Sequence, residues 1–341
     1  MTPPPASASH PYLAAADRIA QALDLVDRAM REQLDSAASL IGAIGEHVLG
    51  SGGKRVRPAL TLLSAELCGY TGPRRIQVGA AVELLHSASL LHDDVVDLAE
   101  VRRGEPAASV VWGNRRAVLG GDFIYARASS MIVEDGSHEV LEVFADAIRS
   151  MAEGELLQLE SSFDTSVTEA RYFAVIERKS AMLLSCATET GSILAGVTRG
   201  ERRRMRDFGR ELGVAFQLRD DALDYEASEA ELGKRPNADL REGKVTLPLL
   251  LALKRATPTE RDAVEDVLKR ASRDVLEVAQ ESITDLTPAL EVIDRYHGIA
   301  DTVRRAEQHL ARATEAIAPF PDVRAKQDLL AAAHFAVLRD R

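Results

Sequence analysis

Leu90-Leu91-His92-Asp93-Asp94-Val95-Val96-Asp97 and its echo, Phe216-Gln217-Leu218-Arg219-Asp220-Asp221-Ala222-Leu223-Asp224, are the stretches whose reading decides the fold. Each is an apolar helical run ending in Asp-Asp-x-x-Asp. Residues four apart share a helix face, so Asp93 and Asp97 point one way, and so do Asp220 and Asp224. Asp94 and Asp221 add a third carboxylate to one end of each helix. Like charges at this spacing cost roughly 0.2–0.5 kcal/mol per pair, and at a helix C-terminus the macrodipole opposes anions further. One such cluster reads as a solvated helix end. Two copies, each beside basic and glycine motifs, predict cations that fill them. Hard oxygen donors with few neighbouring His or Cys suit Mg²⁺.

Outward from these clusters the chain reads as helix throughout. It has 341 residues, 46% hydrophobic and 4% aromatic, with apolar residues at three- and four-residue spacing from about Leu13 onward. Convincing alternating strands are absent, so the expected class is all-α: a single-domain helical bundle over residues 12–341. Residues 1–11 are rich in Pro, Ala and Ser, without a basic region or long apolar run, and are expected to be a disordered arm and not a signal peptide. A net charge of −11 argues against a nucleic-acid partner. No segment has the apolar length of a membrane span. Cys68 and Cys186 lie far apart in apolar settings and fit core residues of a reducing compartment. The expected location is cytoplasmic.

Helices are expected at about 12–36, 39–49, 58–69, 74–98, 115–134, 138–161, 168–195 and 201–224, with three or four more beyond Lys254. Between the second and third stands Gly50-Ser51-Gly52-Gly53-Lys54-Arg55-Val56-Arg57-Pro58. Its glycines let backbone approach a ligand. Three cations at a helix start oppose the macrodipole unless an anion binds there; Lys54 and Arg57 are the choice for a diphosphate clamp. Arg102 and Arg103 follow the first aspartates and could either pair with them or hold substrate phosphate. Two carboxylate clusters, phosphate-holding cations and an aliphatic core suggest a substrate that is diphosphate at one end and hydrocarbon at the other. The natural chemistry is departure of diphosphate, with apolar walls shielding the carbocation that develops.

The chain resembles the trans-polyprenyl (isoprenyl) diphosphate synthases. Five motifs carry the likeness in order: GGKRVRP, LLHDDVVDLAEVRRG, the Lys179-Ser180 pair, FQLRDDALDY and GK…DLREGKVTLP. The resemblance implies an isoprenoid synthase bundle around a central cavity, a homodimer, that condenses isopentenyl diphosphate onto an allylic diphosphate using Mg²⁺, three ions per site. Asp93, Asp94 and Asp97 would bind metal on the allylic diphosphate, and Asp220, Asp221 and Asp224 the third ion. Arg102, Lys179, Ser180, Gln217, Lys234 and Lys244 would meet the allylic diphosphate or its metals. Lys54, Arg57, His86 and Arg103 would hold isopentenyl diphosphate, with Asp239 behind metal or lysine. Asp93, Asp94, Asp97, Lys179, Asp220 and Asp221 would carry the ionisation, and the released diphosphate would accept the proton. Ser180 stands where the family often has Thr, and Arg235-Pro236-Asn237 replaces its usual Pro-x-Gly.

Ala88 and Ser89 lie one helical turn before the first aspartates. In the family, aromatic residues there stop growth early, so two small ones imply a long, octaprenyl-like product. Geranylgeranyl or farnesyl diphosphate is the shorter alternative. An aromatic residue at Ala88 is expected to shorten the product. Leu84, Leu85, Phe123, Met131 and Phe144 are candidates for a deeper floor. A terpene cyclase would have no use for the cations that hold isopentenyl diphosphate. A di-iron bundle needs a second partner for Glu83-Leu84-Leu85-His86. A non-catalytic subunit of a heteromeric synthase would be expected to lose its aspartates.

Overall fold

The structure is a computed structural model, described here for residues 11–50, 54–102, 104–226, 237–276 and 284–337. Helices run in the order α1 (Pro11–Arg18), α2 (Ala20–Glu32), α3 (Ser39–Gly50), α4 (Val56–Leu67) and α5 (Arg74–Val96). A short ladder of β1 (Val101–Arg102) against β2 (Glu105–Pro106) follows, antiparallel, with Val101 opposite Pro106. Then come α6 (Ala108–Trp112), α7 (Asn114–Asp135), α8 (His138–Glu160), α9 (Glu169–Ile176), α10 (Met182–Leu194) and α11 (Arg199–Glu226). The remainder is α12 (Ala238–Arg241), α13 (Leu247–Leu253), α14 (Pro258–Leu276), α15 (Thr287–Arg295), α16 (Gly298–Ala316) and α17 (Arg324–Val337). The fold is all-α, and the two-residue ladder is a difference from the strandless reading. Pro11 already belongs to α1, one residue inside the arm expected at 1–11.

Three helices form the centre. Pro58–Ala65 of α4, Val78–Leu85 of α5 and Leu183–Ser192 of α10 are buried at every position. A helix apolar on all sides has to lie inside; the amphipathic α2 packs on α4 and α5, while α16 lies along α11. One continuous hydrophobic cluster extends from Ile19 to Val337.

The helix expected over 168–195 is interrupted. Glu177–Ala181 forms a π turn between α9 and α10. A π turn is a one-residue widening that recurs at functional sites, and here it carries Lys179 and Ser180. Its neighbours approach through glycine: a Cβ on Gly154 of α8 would meet the Lys179 nitrogen at 2.6 Å, and one on Gly213 of α11 would meet the Ala181 Cα at 2.4 Å. Backbone atoms cannot rotate aside. Gly213→Ala is therefore expected to destabilise the protein by about 1–3 kcal/mol through overpacking, read as a lower denaturant midpoint at unchanged slope.

Candidate active site

The two aspartate clusters end α5 and α11 on opposite sides of one cleft. Asp93 and Asp220 both line a cavity of about 520 Å³. Its mouth also carries Arg57, His86, Arg102, Lys179 and Gln217, while Leu85, Ser89, Tyr125, Ile148, Met151 and Leu183 wall its apolar part. A smaller recess of about 140 Å³ shares Lys179, Ser180 and Gln217 with it and adds Tyr172, Asp221, Asp239 and Lys244. Asp97 reaches this group through the Lys244 ammonium, 3.1 Å from its carboxylate across the cleft.

Asp94, Asp97, Asp221 and Asp224 are each held by a named donor. Arg102 pairs with Asp94. Gln217 Nε2 donates to Asp221 Oδ1 at 2.8 Å, and Ser180 Oγ donates to Gln217 Oε1 at 2.7 Å. The Tyr172 hydroxyl donates to Asp221 Oδ2 at 2.5 Å. The Asp239 N–H donates to Asp224 Oδ2 at 3.1 Å. Lys179 Nζ sits 2.5 Å from Glu155 of α8, and Lys244 Nζ also donates to Glu242 at 2.6 Å.

Burial is the largest influence on these carboxyls and favours their neutral forms. It raises Asp93, with Asp97 adding and Lys179 opposing. It raises Asp94 despite Arg102. It pushes Asp221 up to about 8, helped by Asp239 and resisted by the Tyr172 and Gln217 hydrogen bonds. Glu155 is raised in the same way, against Lys179. Burial pulls the Lys244 ammonium down, but Glu242, Asp239 and Asp97 outweigh it and the group is raised. Acidic groups buried at this cost beside Arg102, Lys179 and Lys244 make a site that an added positive charge would favour. Among the described residues no three acids already converge on one point.

Other expected positions fall as follows. Arg57 and His86 line the cavity. Lys54 is not among the lining residues; its ammonium lies over the Phe335 ring at 4.6 Å. Arg55, the N-cap of α4, turns to Asp27 at 2.9 Å and to Glu83 at 3.4 Å. That pairing leaves Glu83 facing an arginine, away from any di-iron role beside His86. Ser89 lines the cavity, whereas Ala88 is 1% exposed in the core and does not. Of the floor candidates, Leu85 is a lining residue; Leu84, Met131 and Phe144 are buried in the core. Arg103 and Lys234, with Gly52 and Gly53, lie outside the described residues. Tyr172, Glu155 and Glu242 were not anticipated, since their partners are distant in sequence or unremarkable beside it. Both cysteines are free, Cys186 buried and Cys68 half-buried.

Comparison with known proteins gives a consistent result. The polyprenyl synthetase family model matches residues 38–285. The octaprenyl diphosphate synthase of Escherichia coli K12 is 41% identical over 323 residues, spanning 94% of this chain and 97% of that protein. An all-trans-nonaprenyl-diphosphate synthase (geranyl-diphosphate specific) from Rhodobacter capsulatus is 35% identical over 92% of this chain and 93% of its own length. A polyprenyl synthase from Caulobacter crescentus, crystallised with calcium and isoprenyl diphosphate, superposes with a TM-score of 0.90 at 38% identity, covering 99% of this chain and 100% of that one.

The buried Tyr172–Asp221 bond gives a direct test. Tyr172→Phe leaves the shape but removes a donor to a buried carboxyl. It is expected to lower stability by about 1–3 kcal/mol and to slow turnover roughly ten-fold or more, because the carboxylate is no longer aimed. Denaturation curves and steady-state rates check the two effects separately.

Proposed function

Because the chain belongs to the polyprenyl synthetase family, we propose that its cleft condenses isopentenyl diphosphate onto an allylic diphosphate at the residues described above. The enzyme is a prenyltransferase that makes a long-chain all-trans polyprenyl diphosphate, as its octaprenyl and nonaprenyl relatives do. The observation that carries the assignment of the site is that Asp93 and Asp220, from helices far apart in sequence, line one cavity together with apolar residues such as Leu85, Ile148, Met151 and Leu183.

In this reading Asp93, Asp94 and Asp97 face Asp220, Asp221 and Asp224 across the allylic diphosphate, and these carboxylates would hold Mg²⁺, three ions when substrate is bound. The ions would supply charge neutralisation of the departing diphosphate. Lys179, Lys244, Gln217, Ser180 and Arg102 orient that diphosphate for cleavage of its carbon–oxygen bond, each worth more here than in water because the groove is half-buried. Lys234 completes the set by family likeness. Arg57 and His86 at the mouth, with Lys54 and Arg103 by the same likeness, hold isopentenyl diphosphate so that its double bond meets the allylic cation. Leu85, Ile148, Met151 and Leu183 keep water from that cation. The proton lost after the carbon–carbon bond forms goes to the released diphosphate.

The apolar shaft takes the growing tail, and its small-residue gate is Ser89. A turn of α5 rises about 5.4 Å, close to one extended isoprene unit, so a bulky group at Ser89 blocks the tail within the first turns. We read residues 12–341 as the catalytic domain, preceded by an arm of residues 1–11, in the cytoplasm. No helix among the described residues is long and apolar enough to cross a membrane. Val110, Val111, Val118 and Leu119 are exposed apolar residues on the neighbouring helices α6 and α7. A patch of that kind marks an interaction surface, and a second copy of the chain is the occupant this reading assigns to it.

Incubation with isopentenyl and farnesyl diphosphates plus Mg²⁺ is expected to give polyprenyl products longer than C20 by mass spectrometry; products confined to farnesyl or geranylgeranyl diphosphate would overturn the long-chain assignment. Ser89→Phe is expected to shift that distribution to shorter chains, whereas an unchanged distribution removes Ser89 from the gate. For the assembly, Leu119→Asp is expected to convert a dimer to a monomer in sedimentation, since a buried unpaired charge costs several kcal/mol.

A further inference from the structure

Phe163 lies between α8 and α9 with φ +63°, a left-handed backbone that bulky side chains rarely adopt. Strain of this kind persists where the surroundings over-determine it, and it gathers at functional sites. Here its surroundings are one turn. The Phe163 N–H donates to the Gly243 carbonyl at 2.8 Å. Its ring covers Gly243 so closely that a Cβ there would come within 2.5 Å of ring carbon Cδ1. Gly243 is left-handed too, with φ +77°.

The next residue is Lys244. Its N–H is tied to the Asp239 carbonyl at 2.7 Å, and its ammonium lies between Glu242 of the same turn, at 2.6 Å, and Asp97 across the cleft, at 3.1 Å. The long lysine stem has many rotamers, so where the ammonium arrives depends on how firmly the turn beneath it is fixed. The ring of Phe163 and its N–H fix that turn from the outside, while Asp239 fixes it from within. Ser180, Gln217 and Tyr172 are held by hydrogen bonds of their own and do not use the ring.

We infer that Phe163 is a positioning residue for Lys244: it clamps the Gly243 turn so that the ammonium faces the allylic diphosphate beside Asp97. This rests on the proposed contact between Lys244 and that diphosphate. The clamp acts on the lysine alone, so its loss weakens allylic binding and leaves isopentenyl diphosphate untouched.

A double-mutant cycle tests it. Calorimetry with a non-hydrolysable thiolodiphosphate analogue of farnesyl diphosphate, in Mg²⁺, gives Kd for the wild type, Phe163→Gly, Phe163→Tyr, Lys244→Ala and the Phe163→Gly/Lys244→Ala pair. Phe163→Gly is expected to weaken the analogue about ten-fold, Phe163→Tyr to match wild type, and Phe163→Gly to add nothing once Lys244 is alanine; KM for isopentenyl diphosphate stays constant. An unchanged Kd in Phe163→Gly, or the same loss in the Lys244→Ala background, overturns the inference while leaving the role of Lys244 standing. An unchanged Kd in Lys244→Ala instead sinks the proposed lysine contact, and the clamp with it. If circular dichroism shows Phe163→Gly unfolded, Phe163→Asn, which tolerates the left-handed backbone, takes its place in the same cycle.

Discussion

Burial of acidic side chains is the constraint on which this structure depends. Asp94, Asp221 and Asp224 are each at most 3% exposed, and Asp93 stands beside them at the cavity wall. Desolvation drives Asp94 and Asp221 toward their neutral forms. Arg102 at Asp94, and Gln217 and Tyr172 at Asp221, oppose that push. In a half-buried groove those interactions are strong and the cost of leaving a charge unmatched is high. In the proposed reading, multivalent cations and a diphosphate complete the charge balance of this groove.

The aliphatic frame serves the same end. Helices buried on all sides set α5, α10 and α11 at fixed distances, and glycines at 154 and 213 bring neighbouring backbones against the π turn that presents Lys179 and Ser180. A tight frame permits little relaxation, so the charged mouth and the apolar shaft keep their relative placement while a chain grows between them. Phe163 and Gly243 show that constraint reaching a single side chain at the rim.

Much of this was legible in the residues. The helical period and the two Asp-Asp-x-x-Asp ends are local patterns, and the expected ends fall within a few residues of those of α5 and α11. The interruption at Glu177–Ala181 was not legible, because the apolar spacing runs on through it; the widening is imposed by α8 and α11 packing on either side. Tyr172 and Glu155 carry no local signal, since what matters is that they meet Asp221 and Lys179 from other helices. Ala88 and Ser89 looked equivalent in sequence, yet a rotation of one residue along α5 sends Ala88 into the core and Ser89 to the cavity.

The sequence by itself determined the fold class and the chemistry, because helix periodicity and carboxylate spacing are properties of neighbouring residues. Only the tertiary structure decided that both acidic ends open onto one cavity, that Lys244 bridges to Asp97, and that Lys54 rests on Phe335. Those facts depend on how helices cross. Crossing is set by burial and close approach summed over the whole core, which no local stretch of residues encodes.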